Sequence, residues 1–266
     1  MKRKKTIGRE NAKKLQLHKT RALVIVVAFV LTVLLISQFF AGTGYASKTW
    51  IIMGDSLSAK TFRADTAYYD YVQKDLRCKV INYGKNGIGY KESGQKEPFY
   101  EQVDEIDLSD GDCLTIFGSF NDIGKNFELG SSDDITEETI GGCMNLTIRK
   151  ILASNPSLRV GIVTPTPWLT NFAFDPDGEQ NFSGTSREEC DAYVSLLIAV
   201  AEKYNLPVLD LYHEFVLNPD DPDTRAKYYV ENEREDVGVH PNSEGHRIMY
   251  PLWKPFVEDL LSDSGK

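Results

Sequence analysis

The stretch TWIIMGDSLS, residues 49–58, changes abruptly from apolar to polar at Gly54. A short apolar run with two isoleucines predicts a buried β-strand, and the glycine predicts a sharp turn at its end. Such a turn exposes the hydroxyl of Ser56 at the carboxyl edge of the strand, where α/β proteins place reactive groups. Gly-Asp-Ser is also an ordinary turn sequence, so a catalytic interpretation requires a base, an acid and oxyanion donors elsewhere in the chain.

Four further apolar runs follow, and segments with helical periodicity separate most of them. Strands are predicted at 79–83, 113–117, 159–163 and 206–210, and helices at 58–77, 137–152, 186–204 and from residue 242 or 243 onward. Pro251 and Pro255 predict an irregular course for the last helix. The alternation indicates an α/β fold, with a five-stranded parallel sheet covered on both faces. Right-handed crossovers then bring the carboxyl ends of all five strands to one edge.

The first 46 residues differ from the rest in composition. Residues 1–21 carry nine Lys and Arg and one Glu, and residues 22–46 carry no charge. The apolar core at 23–40 is about as long as the ~30 Å of hydrocarbon that a membrane helix crosses. We interpret 1–21 as a basic cytoplasmic segment, 22–46 as a signal anchor in the cell membrane, and 47–266 as a domain outside. The small residues before Ser47 also fit cleavage after Ala46, which releases a secreted domain.

The predicted exported domain is strongly acidic. Nine of the 30 basic residues and one of the 39 acidic residues lie in 1–46, which leaves 47–266 with a formal net charge of −17. Nucleic acid is therefore excluded as a partner, because it demands a basic surface. The same charge disfavours anionic lipid headgroups at the domain surface.

The cysteines give no indication of a metal site. They lie at Cys78, Cys113, Cys143 and Cys190, without a C-x-x-C pair. Buried thiols and disulfides of an exported chain are both compatible with this spacing. We predict neither a metal nor a cofactor.

A catalytic serine needs a base, and histidine is the usual one at neutral pH. His240 precedes the last predicted helix, in a loop that can reach the strand edge, and Pro241 stiffens the backbone after it. His213 follows the fifth strand, with Glu214 beside it to orient the ring, and is the main alternative. His246 lies inside the predicted helix, a position typical of packing or of solvent exposure.

Two further residues lie on loops suited to binding an oxyanion. Gly87 allows a backbone N–H to approach a substrate closely, and Asn121 follows a buried strand that can hold its amide rigidly. Each also has an ordinary role in turns.

The blocks at 54–57, 82–87, 117–122 and 239–242, in this order, together resemble the SGNH (GDSL-type) hydrolase family. The resemblance spans about 49–253 and implies a flavodoxin-like three-layer αβα fold and a serine acyl-enzyme mechanism. Carried over by position, Ser56 is the nucleophile and His240 the general base. The N–H groups of Ser56 and Gly87 and the Asn121 side chain form the oxyanion hole, and Asp55 braces the turn.

The sequence departs from the family pattern before the asparagine. The family usually reads Gly-x-Asn-Asp there, whereas Ser119 takes the glycine place and Phe120 the variable one. We expect this change to narrow the pocket near Asn121.

A second departure concerns the catalytic acid. The family acid stands three residues before the histidine, a position that Val237 occupies here, and Asp236 lies one residue further back. Since Gly238 permits unusual backbone angles, a one-residue bulge can bring Asp236 to His240. The alternative is a dyad in which a backbone carbonyl orients the histidine.

We therefore predict a membrane-tethered serine ester hydrolase acting on an acyl or acetyl ester of a small molecule or glycan. Trp168 and Phe172 lie in a long aromatic loop that we expect to contribute to selectivity. Carbohydrate acetates, lipids and thioesters are all compatible substrates. One alternative is an O-acyltransferase of a cell-surface polysaccharide. Another is a catalytically inactive module that binds glycan through this loop, with Phe174 and Phe182.

Overall fold

The structure, a computed structural model, describes residues 25–32, 44–59, 64–91, 97–123, 127–168, 186–230 and 238–262. The chain divides into two compact units, Met1–Gly44 and Tyr45–Lys266. In the first unit, residues 25–32 are helical. Among the described residues, no helix combines the length and the apolar character that crossing a membrane requires. Most of the predicted anchor at 22–46 lies outside them.

The second unit contains a five-stranded sheet with the order β2-β1-β3-β4-β5. The strands are β1 (Thr49–Gly54), β2 (Lys79–Asn82), β3 (Cys113–Phe117), β4 (Arg159–Val163) and β5 (Val208–Leu209). All neighbouring pairs are parallel, so the predicted five-stranded parallel sheet is confirmed. This strand order is that of flavodoxin-like sheets, in which ligands bind outside the carboxyl ends of the strands.

Seven α-helices lie in the described part of the second unit. They are α1 (Tyr68–Leu76), α2 (Phe99–Gln102), α3 (Ile140–Ser154), α4 (Arg187–Lys203), α5 (Leu211–Glu214), α6 (Pro222–Tyr228) and α7 (Ser243–Leu261), and a 3₁₀ turn, Val103–Glu105, follows α2. The sequence did not predict α2, α5 and α6, because four to seven residues are too few to show helical periodicity.

Successive residues of β1 face opposite sides of the sheet. Ile51 and Met53 pack in a core cluster that includes buried residues of α3 and α4. Trp50 and Ile52 pack in a second cluster, with α1 and α7. Because both faces are covered, every residue of β1 is buried. The apolar run that identified this strand follows directly from that burial.

Two helix predictions need correction. The helix predicted at 58–77 starts only at Tyr68, because the N–H groups of Ser58 and Ala59 donate to the Asp55 carbonyl in a separate turn. The last helix is continuous from Ser243 to Leu261, with both prolines inside it. Its buried face packs against α1 and the sheet and compensates for the two missing N–H donors.

The four cysteines are free and buried. Burial raises the pKa of Cys78 to about 11 and those of Cys143 and Cys190 to about 12. Of the two possibilities that the sequence left open, the structure therefore shows unreactive core thiols.

An aromatic layer joins α1 to α7 beneath the Ser56 turn. The rings of Tyr68 and Trp253 stack with centroids 4.0 Å apart, and His246 stacks on Tyr68 at 5.9 Å. The Tyr68 hydroxyl is 2.8 Å from Ser58 Oγ in the turn itself. His246 is 5% exposed, and its burial lowers the pKa from the ordinary value of 6.5 to about 3, with a smaller contribution from nearby His240. This imidazole is therefore neutral at physiological pH.

The neutral state of His246 predicts a pH dependence of stability. Between about pH 6.5 and pH 3 the unfolded chain binds a proton at His246 that the folded chain does not, so stability falls as the pH falls through this window. We expect the wild type to lose about 1 kcal/mol more than His246→Phe between pH 8 and pH 5.5, measured by urea unfolding. Phenylalanine keeps a stacked ring without a titrating group. Parallel pH profiles for the two proteins would contradict this assignment.

Candidate active site

The turn after β1 places Ser56 at the carboxyl edge of the sheet. Gly54 pairs with Phe117 at the end of β3. A Cβ atom at position 54 would lie 2.6 Å from the Phe117 carbonyl oxygen, so only glycine fits here. The Asp55 N–H donates to the same oxygen at 3.3 Å. The ends of β1 and β3 are thereby fixed against each other, directly before Ser56.

The Asp55 carboxylate is completely buried and accepts hydrogen bonds from both of these strand ends. Its Oδ1 accepts from the Leu57 N–H at 2.9 Å. Its Oδ2 accepts from the Ser119 N–H at 2.6 Å, from the Ser119 hydroxyl, and from Asn121 Nδ2 at 2.9 Å. Burial raises the pKa of Asp55, and the hydrogen bonds from Ser119 and Leu57 and the proximity of His240 oppose that rise. This carboxylate braces the Ser56 turn.

The loop after β2 lies against the Ser56 turn. Asn82 Nδ2 donates to the Ser58 carbonyl at 2.7 Å, and Asn82 Oδ1 accepts from the Gly84 N–H at 2.8 Å. A Cβ atom at Gly84 would lie 2.6 Å from the Ala59 nitrogen, so the two backbones touch. Gly87, further along this loop, has a φ of 71°, a left-handed conformation that favours glycine.

Asn121 connects the Ser56 turn to this loop. Its Nδ2 donates to Asp55 Oδ2 at 2.9 Å and to the Ile88 carbonyl at 2.9 Å. These acceptors belong to the residue before Ser56 and to the residue after Gly87. Asn121 is therefore bonded to the neighbours of both Ser56 and Gly87, and the oxyanion hole itself stays a prediction. In this arrangement both amide hydrogens of Asn121 are donated within the protein.

Asp122 also holds the loop after β2. This buried carboxylate accepts from the Tyr90 N–H at 3.0 Å, the Lys91 N–H at 3.0 Å and the Tyr193 hydroxyl at 3.0 Å. Sequence reasoning did not single out Asp122 or Tyr193. Asp122 directly follows Asn121, which is a usable signal, but Tyr193 looks like any buried residue of α4.

His240 reaches Ser56 from the other end of the chain. Its Nε2 is 2.8 Å from Ser56 Oγ, and the residue is 8% exposed. An isolated antiparallel bridge pairs Tyr229 with Pro241, and the His240 carbonyl accepts from the Val230 N–H at 2.8 Å. This bridge fixes the backbone at the histidine and directly after it, so the imidazole is held at the serine before any substrate binds.

A glycine near the start of α7 allows this approach. A Cβ atom at Gly245 would overlap the Tyr228 carbonyl oxygen and would lie 2.7 Å from Pro241 Cβ. The Asn242 side chain caps the same helix by accepting from the N–H groups of Glu244 and Gly245. These contacts seat the start of α7 against the segment that carries His240.

The model of the GDSL-like lipase/acylhydrolase family matches residues 52–248, about three quarters of the chain. The chain belongs to this family. The resemblance found in the sequence is confirmed, and the protein is a hydrolase of the GDSL type. No curated protein matches the chain significantly.

Solved structures show the same fold. A protein from Lactobacillus plantarum is 22% identical, with a TM-score of 0.67 over 80% of this chain and 97% of that chain. The acetyl xylan esterase AlAXEase is 19% identical, with a TM-score of 0.55 over 79% of this chain and 99% of that chain. An aryl esterase of M. smegmatis is 18% identical, with a TM-score of 0.56 over 80% of this chain and all of that chain. At these identities the likeness establishes the fold alone.

Two departures from the family pattern have different outcomes. Ser119 is 2% exposed and donates its hydroxyl to Asp55, so it strengthens the support of the turn, and Phe120 is fully buried. The expected narrowing of the pocket near Asn121 by Ser119 and Phe120 stays a prediction. Asp236 and Val237, which bear on the catalytic acid, lie outside the described residues.

The remaining predicted residues are placed as follows. His213 lies in α5, largely exposed, with its Nδ1 2.7 Å from Asp210 Oδ2. Trp168 follows β4 and packs edge to face with Phe120 at 5.5 Å. Phe172 lies outside the described residues, as do Phe174 and Phe182. Of the candidate bases, only His240 has a described hydrogen bond to Ser56.

A narrow pocket opens beside Ser56 and His240. Its described lining is mostly small or aromatic: Leu57, Ala59, Ala64, Ala67, Tyr69, Pro241 and His246. Because burial lowers its pKa to about 3, His246 adds no positive charge to this lining near neutral pH.

Replacing Ser119 tests the support of Asp55. Ser119→Ala removes a buried hydrogen bond to a carboxylate, so we expect the free energy of unfolding to fall by about 2 kcal/mol in urea titrations. Ser157→Ala is the matched control, since its exposed hydroxyl bonds Asn155 Oδ1 at 2.7 Å. This control should change stability by less than about 0.5 kcal/mol. Equal losses for both variants would show that Asp55 does not depend on Ser119.

Proposed function

We propose that this protein is a serine ester hydrolase that removes an acyl or acetyl group from a small-molecule or glycan ester. The observation that carries the proposal is the 2.8 Å contact between Ser56 Oγ and His240 Nε2, in a chain of the GDSL-like family. A nucleophile and a base within hydrogen-bond reach form the unit that covalent ester hydrolysis requires. This contact also argues against an inactive glycan-binding module.

The proposed reaction has two steps, acylation of Ser56 and hydrolysis of the acyl-serine. Ser56 Oγ attacks the ester carbonyl carbon while His240 Nε2 takes the hydroxyl proton, and that proton then passes to the departing alcohol. The products of this step are the alcohol and an acyl-serine. Water then attacks the acyl carbon, His240 takes a proton from the water, and this proton returns to Ser56 as the acid leaves.

The oxyanion of each tetrahedral intermediate lies among three donors in this proposal. They are the N–H groups of Ser56 and Gly87 and the side chain of Asn121. Asn121 donates to the Ile88 carbonyl in the described arrangement, so it must exchange or share that bond to reach the substrate. Its second bond, to Asp55, holds the amide in place during the exchange.

The substrate class follows from the pocket and from the charge of the domain. The narrow lining beside Ser56 supports a short acyl group such as acetyl. The formal charge of −17 on residues 47–266 supports a neutral alcohol portion and opposes anionic lipid. The names of two structural neighbours, an acetyl xylan esterase and an aryl esterase, agree with this class. We propose that Trp168, which follows β4, contacts the alcohol portion, and we assign Phe172 the same role.

We further propose that residues 22–46 tether the hydrolase domain, 47–266, outside the cell membrane. The uncharged stretch and its basic flank at 1–21 support this location. Cleavage after Ala46 would leave the same domain secreted.

The proposed chemistry predicts the effect of removing the nucleophile or the base. With p-nitrophenyl acetate and residues 47–266, we expect Ser56→Ala and His240→Ala each to lower kcat by about 10⁴-fold or more. His213→Ala is the matched control and should retain wild-type kcat, because His213 pairs with Asp210 at the surface. An active Ser56→Ala variant would refute the serine mechanism. Product analysis with a polysaccharide acceptor distinguishes hydrolysis from O-acyl transfer.

Asp236 is proposed as the acid that orients His240. Its replacement removes the partner of the imidazolium, so Asp236→Ala should lower kcat by about 10²- to 10⁴-fold while leaving measurable turnover. Glu235→Ala is the matched control, since it removes a neighbouring carboxylate of the same segment. Wild-type kcat in Asp236→Ala would favour the dyad, in which a backbone carbonyl orients His240.

A further inference from the structure

Two adjacent residues after β3 hold the loop that carries Gly87. Asn121 donates to the Ile88 carbonyl, and Asp122 accepts from the N–H groups of Tyr90 and Lys91. A Cβ atom at residue 89 would overlap the Asp122 carboxylate, so the loop lies directly on that group. The position of this loop therefore depends on how the Asp122 side chain is held.

Tyr193 holds Asp122 from the far side. Its hydroxyl donates to Asp122 Oδ2 at 3.0 Å, the same oxygen that accepts from the Tyr90 N–H. Tyr193 is 1% exposed, and its ring packs edge to face with Phe120 at 5.6 Å. Burial, reinforced by the nearby carboxylate of Asp122, raises the pKa of Tyr193 well above its ordinary value. The phenol therefore stays protonated and serves as a donor.

We propose that Tyr193 is a positioning residue for ester hydrolysis, which aligns the Gly87 N–H with the oxyanion by holding the Asp122 carboxylate on the Gly87 loop. The inference rests on the proposed function. The chain of contacts runs from α4 through Tyr193 and Asp122 to the backbone at 90 and 91, three and four residues after Gly87. Tyr193 itself touches no reacting atom in this assignment.

A positioning role predicts a particular kinetic signature. Negative charge on the carbonyl oxygen develops in the transition state and is absent from the bound ester. A misplaced N–H donor therefore weakens transition-state binding more than substrate binding. The variant should thus lose kcat while KM stays constant. General loosening of the core would instead lower the melting temperature without this selective loss.

The test compares two tyrosines of the same helix region. Tyr193→Phe removes the hydroxyl and keeps the ring that packs on Phe120. Tyr204→Phe is the matched control, because Tyr204 follows the last turn of α4 and its hydroxyl donates to Asn145 Oδ1 at 2.9 Å, away from Asp122. With p-nitrophenyl acetate, Tyr193→Phe should lower kcat about 10-fold with KM within about 2-fold of wild type. Tyr204→Phe should retain wild-type kcat.

Two further measurements separate positioning from folding. Phenylboronic acid forms a tetrahedral adduct with an active serine, so its inhibition constant should rise in Tyr193→Phe by the factor that kcat/KM falls. Adding Tyr193→Phe to Asp122→Ala should cost no further kcat, because alanine already leaves the Tyr193 hydroxyl without an acceptor at residue 122. Melting curves of all variants establish that each is folded at the assay temperature.

The outcomes are distinct for the two proposals. Three results would each overturn the role of Tyr193 and leave the hydrolase intact: wild-type kcat in Tyr193→Phe, an equal loss in Tyr204→Phe, or a further loss on the Asp122→Ala background. Wild-type turnover in Ser56→Ala overturns the proposed function instead. A selective kcat loss in Tyr193→Phe, matched by weaker boronate binding, supports the positioning role.

Discussion

The buried carboxylate of Asp55 joins the ends of β1 and β3, and the candidate site depends on that junction. Moving a carboxylate out of water is costly unless donors replace the water, and here the donors come from two loops that carry functional residues. Leu57 donates from the turn of Ser56, whereas Ser119 and Asn121 donate from the loop after β3. One acceptor therefore sets the relative position of the proposed nucleophile, Ser56, and of the proposed oxyanion donor, Asn121. A neutral side chain of the same size could not accept all of these hydrogen bonds.

The serine at position 119 supplies an additional hydrogen bond to the buried carboxylate. Asp55 Oδ2 receives the backbone N–H and the hydroxyl of Ser119 in addition to the Asn121 amide. A glycine at this position would supply only the backbone donor. In the proposed mechanism Asn121 exchanges or shares its bond to Ile88 and keeps its bond to Asp55, so Ser119 and Asn121 together satisfy the carboxylate throughout. The departure from the family pattern thus adds a side-chain donor that stabilises the buried charge.

Sequence periodicity predicted the sheet well, because all of β1 and β3 is buried and therefore apolar. The start of α1 could not be found in this way, since the turn at 55–59 places polar and apolar residues much as a helix does. The order of the motifs along the chain and the family resemblance predicted that Ser56 and His240 belong to one site. Two contacts hold His240 near Ser56: the bridge between Tyr229 and Pro241 and the close backbone contact at Gly245. Neither contact leaves a periodic pattern in the sequence. Tyr193 escaped detection for the same reason, as its partner lies 71 residues away.

The neutral imidazole of His246 matters to the chemistry proposed for His240. Both rings line the same pocket, and the proximity of His240 adds to the lowering of the His246 pKa. During catalysis His240 becomes an imidazolium when it takes the Ser56 proton, so a second charged ring nearby would raise the free energy of that step. Burial in the aromatic layer keeps His246 uncharged at neutral pH, because desolvation penalises the protonated form. The stack of α1 against α7 thereby stabilises the fold and also keeps His246 uncharged beside the histidine that is proposed to accept the Ser56 proton.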